Sequence, residues 1–316
     1  MLENLRRKSL VKTYIDPTHL VRFEQGHAIY WDSFRSEQYR QRFSKENQEK
    51  SFSSTFDGVS KEFRLIADTL EALKFNMIVC PSGTFTEGHI DQKNKPLRSK
   101  TIDKPFLLGE TEVTNEMYGL VDGYPKTHDI FKKPKHPKVD VSWFDAIRFC
   151  NKLSDLQNLD RCYTQNSSQA SDYVWYCDFS KNGYRLPTEE EWEYAAKAGT
   201  QNRWAGTDEK DKVGEYAIYG SNSANKDKNA TTHPVKTKLP NEWGFYDMSG
   251  NVWEWCWNKR MLNADDTDPR VERIIRGGCF LGDFEYSPIS TFHIRSKPAL
   301  NGDNQIGFRV ARSFSS

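Results

Sequence analysis

Hydrophobic and polar positions alternate in two textures along this chain, and the texture changes near residue 76. Before the change, Phe63, Ile66, Leu70 and Leu73 recur at helical spacing, with Lys61, Glu62, Arg64 and Asp68 between them. Further upstream, Phe23, Tyr30, Phe34, Tyr39 and Phe43 are scattered among Arg, Glu and Gln, and Gly58 after Asp57 marks a break. Residues 1–75 are therefore expected to form an N-terminal helical segment against the main domain. Beyond Asn76, the apolar run Met77-Ile78-Val79, followed by Pro81, Gly83 and Gly88, predicts a strand running into a loop or hairpin. Residues 105–114 predict a strand and then a helix entry. Two helices announce their own starts. Ser142 is answered by Asp145, after which Ala146, Phe149, Cys150 and Leu153 line one face. Thr188 follows Pro187 and is answered by Glu191. Trp192, Ala195 and Ala196 then share a face, and Gly199 is placed to end the helix. Glu189, Glu190 and Glu191 fall in the first turn, where the helix dipole favours negative charge, so they read as structural rather than catalytic. Residues 200–240 are loop-rich, while 244–257 and 273–312 read as short strands joined by turns.

Composition narrows the picture. With 316 residues and 36% hydrophobic content, the chain has enough apolar material for one large domain or two modest ones. A formal net charge of +1 gives no electrostatic footprint for a nucleic-acid partner, and none is expected. No run of about 18 apolar residues is present, so no membrane-spanning helix is expected. No apolar stretch follows Met1, so no export signal is visible. Most of the Trp residues lie after residue 140, where large flat side chains can stabilise a core with little regular structure. The six cysteines, Cys80, Cys150, Cys162, Cys177, Cys256 and Cys279, form no C-x-x-C pair and match no zinc spacing. They read as small buried hydrophobes, with a disulfide among Cys150, Cys162 and Cys177 left open. No H-E-x-x-H, G-x-S-x-G or phosphate-cradling glycine loop occurs. His128, His136, His233 and His293 have no recognisable nucleophile beside them in sequence.

Six short segments carry a resemblance. They are 112–115 (EVTN), 141–146 (VSWFDA), 183–195 (GYRLPTEEEWEYA), 250–255 (GNVWEW), Arg276-Gly277-Gly278 and Ile306-Gly307-Phe308-Arg309. In this order, across roughly residues 77–312, they resemble the formylglycine-generating enzyme (sulfatase-modifying factor) family. The resemblance implies an α+β domain over residues 76–316, a C-type-lectin-like fold of the formylglycine-generating-enzyme type, irregular and loop-rich. Catalysts of the family use two cysteines five residues apart after the RGG motif, because copper(I) needs soft thiolates. Those positions fall on Gly282 and Ser287 here, and Cys279 stands where the family usually has serine. Neither oxidase chemistry nor copper is expected. Related iron-dependent sulfoxide synthases use an H-x-x-x-H-x-E pattern in an N-terminal helical domain. His19 and His27 do not match it. The family often holds structural Ca²⁺ in the segment matching 247–254. Asp247 and Glu254 would supply carboxylate oxygens, with the carbonyls of Gly250 and Val252 between them. The alternative is that the two carboxylates satisfy backbone donors of a tight loop.

A branch of this fold serves as the variable protein of diversity-generating retroelements, in which a C-terminal segment is rewritten at adenines. The layout is similar here: RGG, a patternless stretch over about 279–305, then IGFR. Codons diversified in this way do not encode Met, Trp, Gln, Lys or Glu, so Glu285, Lys297 and Gln305 would be framework. Gly282, Asp283, Phe284, Tyr286, Ser287, Ile289, Thr291, His293, Gly302 and Asp303 are the candidate ligand-binding positions, mixing aromatic area with small and hydrogen-bonding side chains as paratopes do. Phe280, Ile294 and Phe308 read as core, and Arg276 and Arg309 as holders of the frame. The resemblance implies a non-catalytic, receptor-like protein at a cell surface, with a lipid anchor outside this sequence and a protein or other macromolecular ligand. The alternatives are a sulfatase-modifying-type oxidase or altered enzyme of the same family, and a structural domain working through residues 1–75.

Overall fold

The structure is a computed structural model and describes residues 12–16, 19–24, 27–32, 75–88, 97–125, 127–165, 173–224, 229–260, 267–268, 271–282 and 295–314. The chain divides into two compact units, Met1–Lys74 and Phe75–Ser316. In the first, the described backbone is an antiparallel sheet of β1 (Lys12–Asp16), β2 (His19–Glu24) and β3 (His27–Asp32), with β2 in the middle. This corrects the helical expectation over residues 12–32. Asp16-Pro17-Thr18 and Gln25-Gly26 are turn signals, and Glu24 pairs with His27 across the second. The helix read at residues 63–73 lies outside the described residues.

The second unit is an irregular α+β domain. Its strands are β4 (Met77–Cys80), β5 (Gly83–Glu87), β6 (Arg98–Ile102), β7 (Phe106–Gly109), β8 (Tyr163–Gln165), β9 (Trp175–Cys177) and β10 (Tyr184–Arg185). Five more follow: β11 (Trp253–Lys259), β12 (Glu272–Arg276), β13 (Arg295–Pro298), β14 (Ile306–Gly307) and β15 (Ala311–Ser313). One four-stranded sheet runs β10-β15-β7-β4 and another β13-β12-β11-β14, while β5-β6 and β8-β9 are two-stranded ribbons. In the second sheet Glu254 of β11 lies opposite Arg276 of β12 on one side and Gly307 of β14 on the other. Motifs more than fifty residues apart in sequence thus become neighbours in one sheet.

Helix α1 (Asn115–Asp122) is capped by Thr114, whose hydroxyl accepts from Met117 N at 3.2 Å. Both predicted capping boxes form. Ser142 and Asp145 open α2 (Trp143–Leu156), and Thr188 and Glu191 open α3 (Glu189–Lys197). The left-handed exit of α3 starts at Ala198 (φ 48°), one residue before the expected Gly199.

Trp143, Trp192 and Trp255 are fully buried and each indole N–H finds an acceptor: Cys256 O at 3.0 Å, Glu254 Oε2 at 2.8 Å and Val141 O at 2.9 Å, respectively. Phe149 stacks on Tyr118 and meets the Phe308 ring edge-on, with centroids 5.2 Å apart in both cases. All six cysteines are free thiols, which closes the open disulfide question, and five of them are buried. Cys177 is half-buried, and burial pushes its thiol up to about 12.

Two glycines separate backbone strain from steric clash. Gly123 and Gly250 both have positive φ, +74° and +84°. A Cβ on Gly123 would meet nothing within 4 Å, but one on Gly250 would lie 2.0 Å from the Ile218 carbonyl oxygen. Gly123→Ala is expected to cost about 1–2 kcal/mol, the left-handed penalty alone. Gly250→Ala adds an overpacking term of about 1–3 kcal/mol. Urea denaturation of both variants checks the ordering, and equal losses would contradict it.

Candidate functional site

The candidate surface is best described from its frame inward. Arg309 is fully buried. Its Nε lies 2.6 Å from Glu254 Oε2 and its NH2 group 2.7 Å from Glu254 Oε1. The same guanidinium donates to the carbonyls of Gly109 at 3.0 Å and Tyr246 at 3.0 Å. Glu254, buried as completely, also accepts from the Trp192 indole. A second buried network surrounds Arg276, which pairs with Glu193 and with Glu189 Oε1 at 3.3 Å. Glu193 in turn accepts from Gly88 N at 2.8 Å, and Lys197 Nζ donates to Gly88 O at 2.8 Å. The acidic first turn of α3 is thus committed to structure: Glu189 to Arg276, and Glu191 to Arg185 at 2.6 Å.

The backbone closes the frame around residues 279–282. Gly250 N donates to Gly277 O at 2.8 Å, and Phe280 N to Asn251 O at 2.8 Å. Gly220 N donates to Gly282 O at 2.7 Å, which places the half-buried Gly282 against the 218–223 loop. At the far end, Trp253 N donates to Gln305 O at 2.8 Å, and the Cys279 thiol lies 3.1 Å from Gln305 Oε1. Phe280 and Phe308 are core, as read; Ile294 lies outside the described residues.

Of the candidate ligand-binding positions, Gly282, Gly302 and Asp303 are described. Asp283, Phe284, Tyr286, Ser287, Ile289, Thr291 and His293 lie outside the described residues. Gly302 is exposed, and a Cβ there would come within 3.0 Å of the Asp140 backbone. Asp303 Oδ2 accepts from Lys297 Nζ at 3.2 Å and its Oδ1 from the Gln305 backbone N at 3.0 Å.

In the segment read as a calcium donor set, both oxygens of Glu254 accept from Arg309, and one of them from the Trp192 indole as well. Among the described residues no group of three or more His, Cys, Asp or Glu side chains is placed to hold a metal ion. Asp247 differs from Glu254. Its Oδ2 accepts from Lys236 N at 2.9 Å, but its Oδ1 is buried without a hydrogen-bond partner. Sequence reading missed Glu112, fully buried with neither carboxylate oxygen partnered. Burial, then the charges of Asp247 and Glu254, push Glu112 well above the usual carboxylate range, against the pull of Arg309. Burial likewise pushes Asp247 up to about 6. Three carboxyl groups therefore lie around one guanidinium: Glu254 is paired with it, and burial together with the neighbouring charges favours the neutral form of Glu112. Copper does not fit: the matching positions are Gly282 and Ser287, which carry no sulfur, and the one thiol of the segment, Cys279, is buried against Gln305.

The chain belongs to the sulfatase-modifying factor enzyme 1-like domain family, whose model matches residues 63–314. It is similar in structure to Treponema denticola variable protein 1, with a TM-score of 0.65 and 32% identity, covering 76% of this chain and 95% of that one. It is 33% identical over 230 residues to the Paenibacillus barcinonensis protein named Chaperone protein LppX, covering 66% of this chain and 80% of that protein. It is 30% identical over 202 residues to the formylglycine-generating enzyme of Streptomyces coelicolor, covering 58% of this chain but only 54% of that enzyme. Among the described residues no helix is long and apolar enough to cross a membrane.

Arg309→Gln leaves the Glu254 charge buried without its partner and is expected to cost about 3–5 kcal/mol. Combining it with Glu254→Leu should recover part of the loss. Equilibrium denaturation of both variants measures this, and a double variant weaker than Arg309→Gln alone would contradict it.

Proposed function

We propose that this chain is a non-catalytic binding protein that presents the segment over about 279–305 as a variable recognition surface to a protein or other macromolecular ligand at a cell surface. The observation that carries this reading is the contrast between the segment and its frame. Arg276, Arg309, Lys297 and Gln305 are all committed to internal bonds, while the positions where family catalysts need thiolates are Gly282 and Ser287. A frame held by its own internal bonds can carry many versions of a loop, as rigid scaffolds do. The likeness to a variable protein supports the reading. The likeness to formylglycine-generating enzymes supplies the competing one, an oxidase with an altered site.

Replacing residues 283–294 with an unrelated Ser-, Asn- and Tyr-containing sequence is expected to leave stability within about 1 kcal/mol. Ligand capture should be lost at the same time. Thermal denaturation and pull-down read the two effects, and a domain that unfolds on replacement would refute a display role. Oxygen uptake with copper and a cysteine-containing sulfatase peptide should be absent, and uptake abolished by Cys279→Ser would establish the oxidase.

We propose a structural role for calcium. Asp247 Oδ1 and the Glu112 carboxylate would hold the ion, and its charge would offset the carboxylates that Arg309 alone does not neutralise. Calcium at about 100-fold above its dissociation constant should raise stability by about 2.7 kcal/mol. Chelation should remove that gain, and Glu112→Gln should abolish it. An unchanged melting temperature with and without chelator would reject the site.

A further inference from the structure

The connection between α1 and α2 carries a local excess of positive charge. Between residues 126 and 138 lie five lysines, Lys126, Lys132, Lys133, Lys135 and Lys138, against one acid, Asp129. In a chain of net charge +1 this is a local excess that the remainder must offset. Lys126 itself lies outside the described residues.

The backbone bearing these charges is pinned. Asn115 N donates to His136 O at 2.9 Å, and Glu116 N to Pro134 O at 3.0 Å. Asn115 Nδ2 donates to Lys133 O at 3.0 Å. Lys138 N donates to Val113 O at 2.8 Å, and Val235 N to Lys135 O at 2.9 Å. The lysine side chains are the opposite case. Lys133 and Lys135 are exposed and form no ion pair among the described residues. Lys132 meets only Asp129, at 2.9 Å, with both side chains about three-quarters exposed, an arrangement that contributes little. Lys138 differs: it is half-buried, its Nζ donates to Val139 O at 2.5 Å and it lies over the Tyr118 ring. Fold stability does not account for Lys133 and Lys135 held unpaired beside Lys132, because like charges held together repel.

Two neighbours indicate what would cover it. At the start of the same connection Tyr124 and His128 stack with centroids 4.5 Å apart and planes 16° apart, and Tyr124 is 39% exposed. An aromatic face of this kind suits the C–H face of a sugar ring. The connection holds no arginine, so it lacks the planar fork that reads phosphate or carboxylate bidentately. Lysine acts as a point charge, suited to anionic groups repeated along a polymer. Its C-terminal end touches the frame: Asp140 N donates to Asp303 O at 3.1 Å. His136 Nδ1 and Thr232 Oγ1 are 2.9 Å apart, and His233 N donates to Asn251 Oδ1 at 3.0 Å, the residue whose carbonyl receives Phe280 N.

We propose that this ledge binds an anionic glycan, a polymer carrying sulfate or carboxylate groups on its sugars, beside the variable segment and independently of its sequence. The lysines supply the attraction and the Tyr124–His128 stack selects sugar over other polyanions. A flat lipid surface has no use for that stack, and an acidic peptide does not need it.

The full chain is passed over an immobilised sulfated glycan, its desulfated form, polyglutamate, and vesicles of phosphatidylcholine with phosphatidylserine. Retention on the sulfated glycan, weakened by salt, is expected. The triple variant Lys132→Ser, Lys133→Ser, Lys135→Ser should bind about tenfold more weakly, whereas Lys104→Ser, Lys181→Ser, Lys210→Ser, with the same change in net charge, should stay within about twofold. Tyr124→Ala should erase the preference for glycan over polyglutamate. Replacing residues 283–294 should leave glycan binding intact, which separates this proposal from the display role. Equal losses in the two triple variants, equal binding to polyglutamate or vesicles, or no retention by a folded protein would overturn it.

Discussion

The fold depends on one buried ion pair, Arg309 with Glu254. Neither group reaches water, so each must find its partners inside. Glu254 finds them in Arg309 and the Trp192 indole, which ties β11 to α3 and to the segment after β14. Arg309 adds the carbonyls of Gly109 and Tyr246, which ties in the end of β7 and the loop before residue 250. A buried pair of this kind adds little stability beyond a well-packed hydrophobic pair, because desolvation offsets the attraction. Its effect is on register. A one-residue slip of β14 along β11 would strand a charge in the core, so the pair penalises the wrong pairings more than it rewards the right one.

That arrangement explains how a segment without any pattern can sit inside an ordered domain. The chain enters it at Gly282, whose carbonyl is held by Gly220, and returns through β13, which pairs with β12. Between the return and Ile306, Lys297 and Gln305 clasp Asp303, and Gln305 also meets the Cys279 thiol. The Gly220–Gly282 bond and the β12–β13 pairing are made by backbone, and backbone bonds are indifferent to the side chain, whereas the clasp uses the Asp303 carboxylate itself.

Much of the second unit was legible because its signals are local. Ser142 with Asp145 and Thr188 with Glu191 are adjacent in sequence, and their boxes form as read. The family motifs were legible for the same reason, and the β11 pairings bring them together in space. Contacts are what the sequence does not display: nothing in GNVWEW reveals that Arg309 is aimed at Glu254, and nothing in the 279–305 stretch reveals that Asp303 pairs with Lys297. Glu112 was overlooked because its signal is energetic: it becomes visible only when burial shows two carboxylate oxygens without donors. The sheet over residues 12–32 was missed for a simpler reason. Weight went to scattered aromatics instead of to Pro17 and Gly26 as punctuation.

A fixed ledge beside a changeable segment also has a consequence for affinity. On the proposed reading, a segment rewritten without regard to ligand would mostly bind weakly, since ordering its side chains opposes association. A constant, salt-sensitive attachment next to it raises the local concentration of whatever surface carries the glycan, so that weak contacts by the segment become intramolecular. On these two proposals the surfaces would divide the work by their chemistry: exposed lysines on a pinned backbone would give attraction with little selectivity, and the segment would give the selectivity. The division requires that the ledge stay constant while the segment changes. The hydrogen bonds that fix the ledge run to Val113, Asn115, Glu116 and Val235, all outside the segment, and the bond from Asp140 N to Asp303 uses a backbone carbonyl, which every residue type supplies.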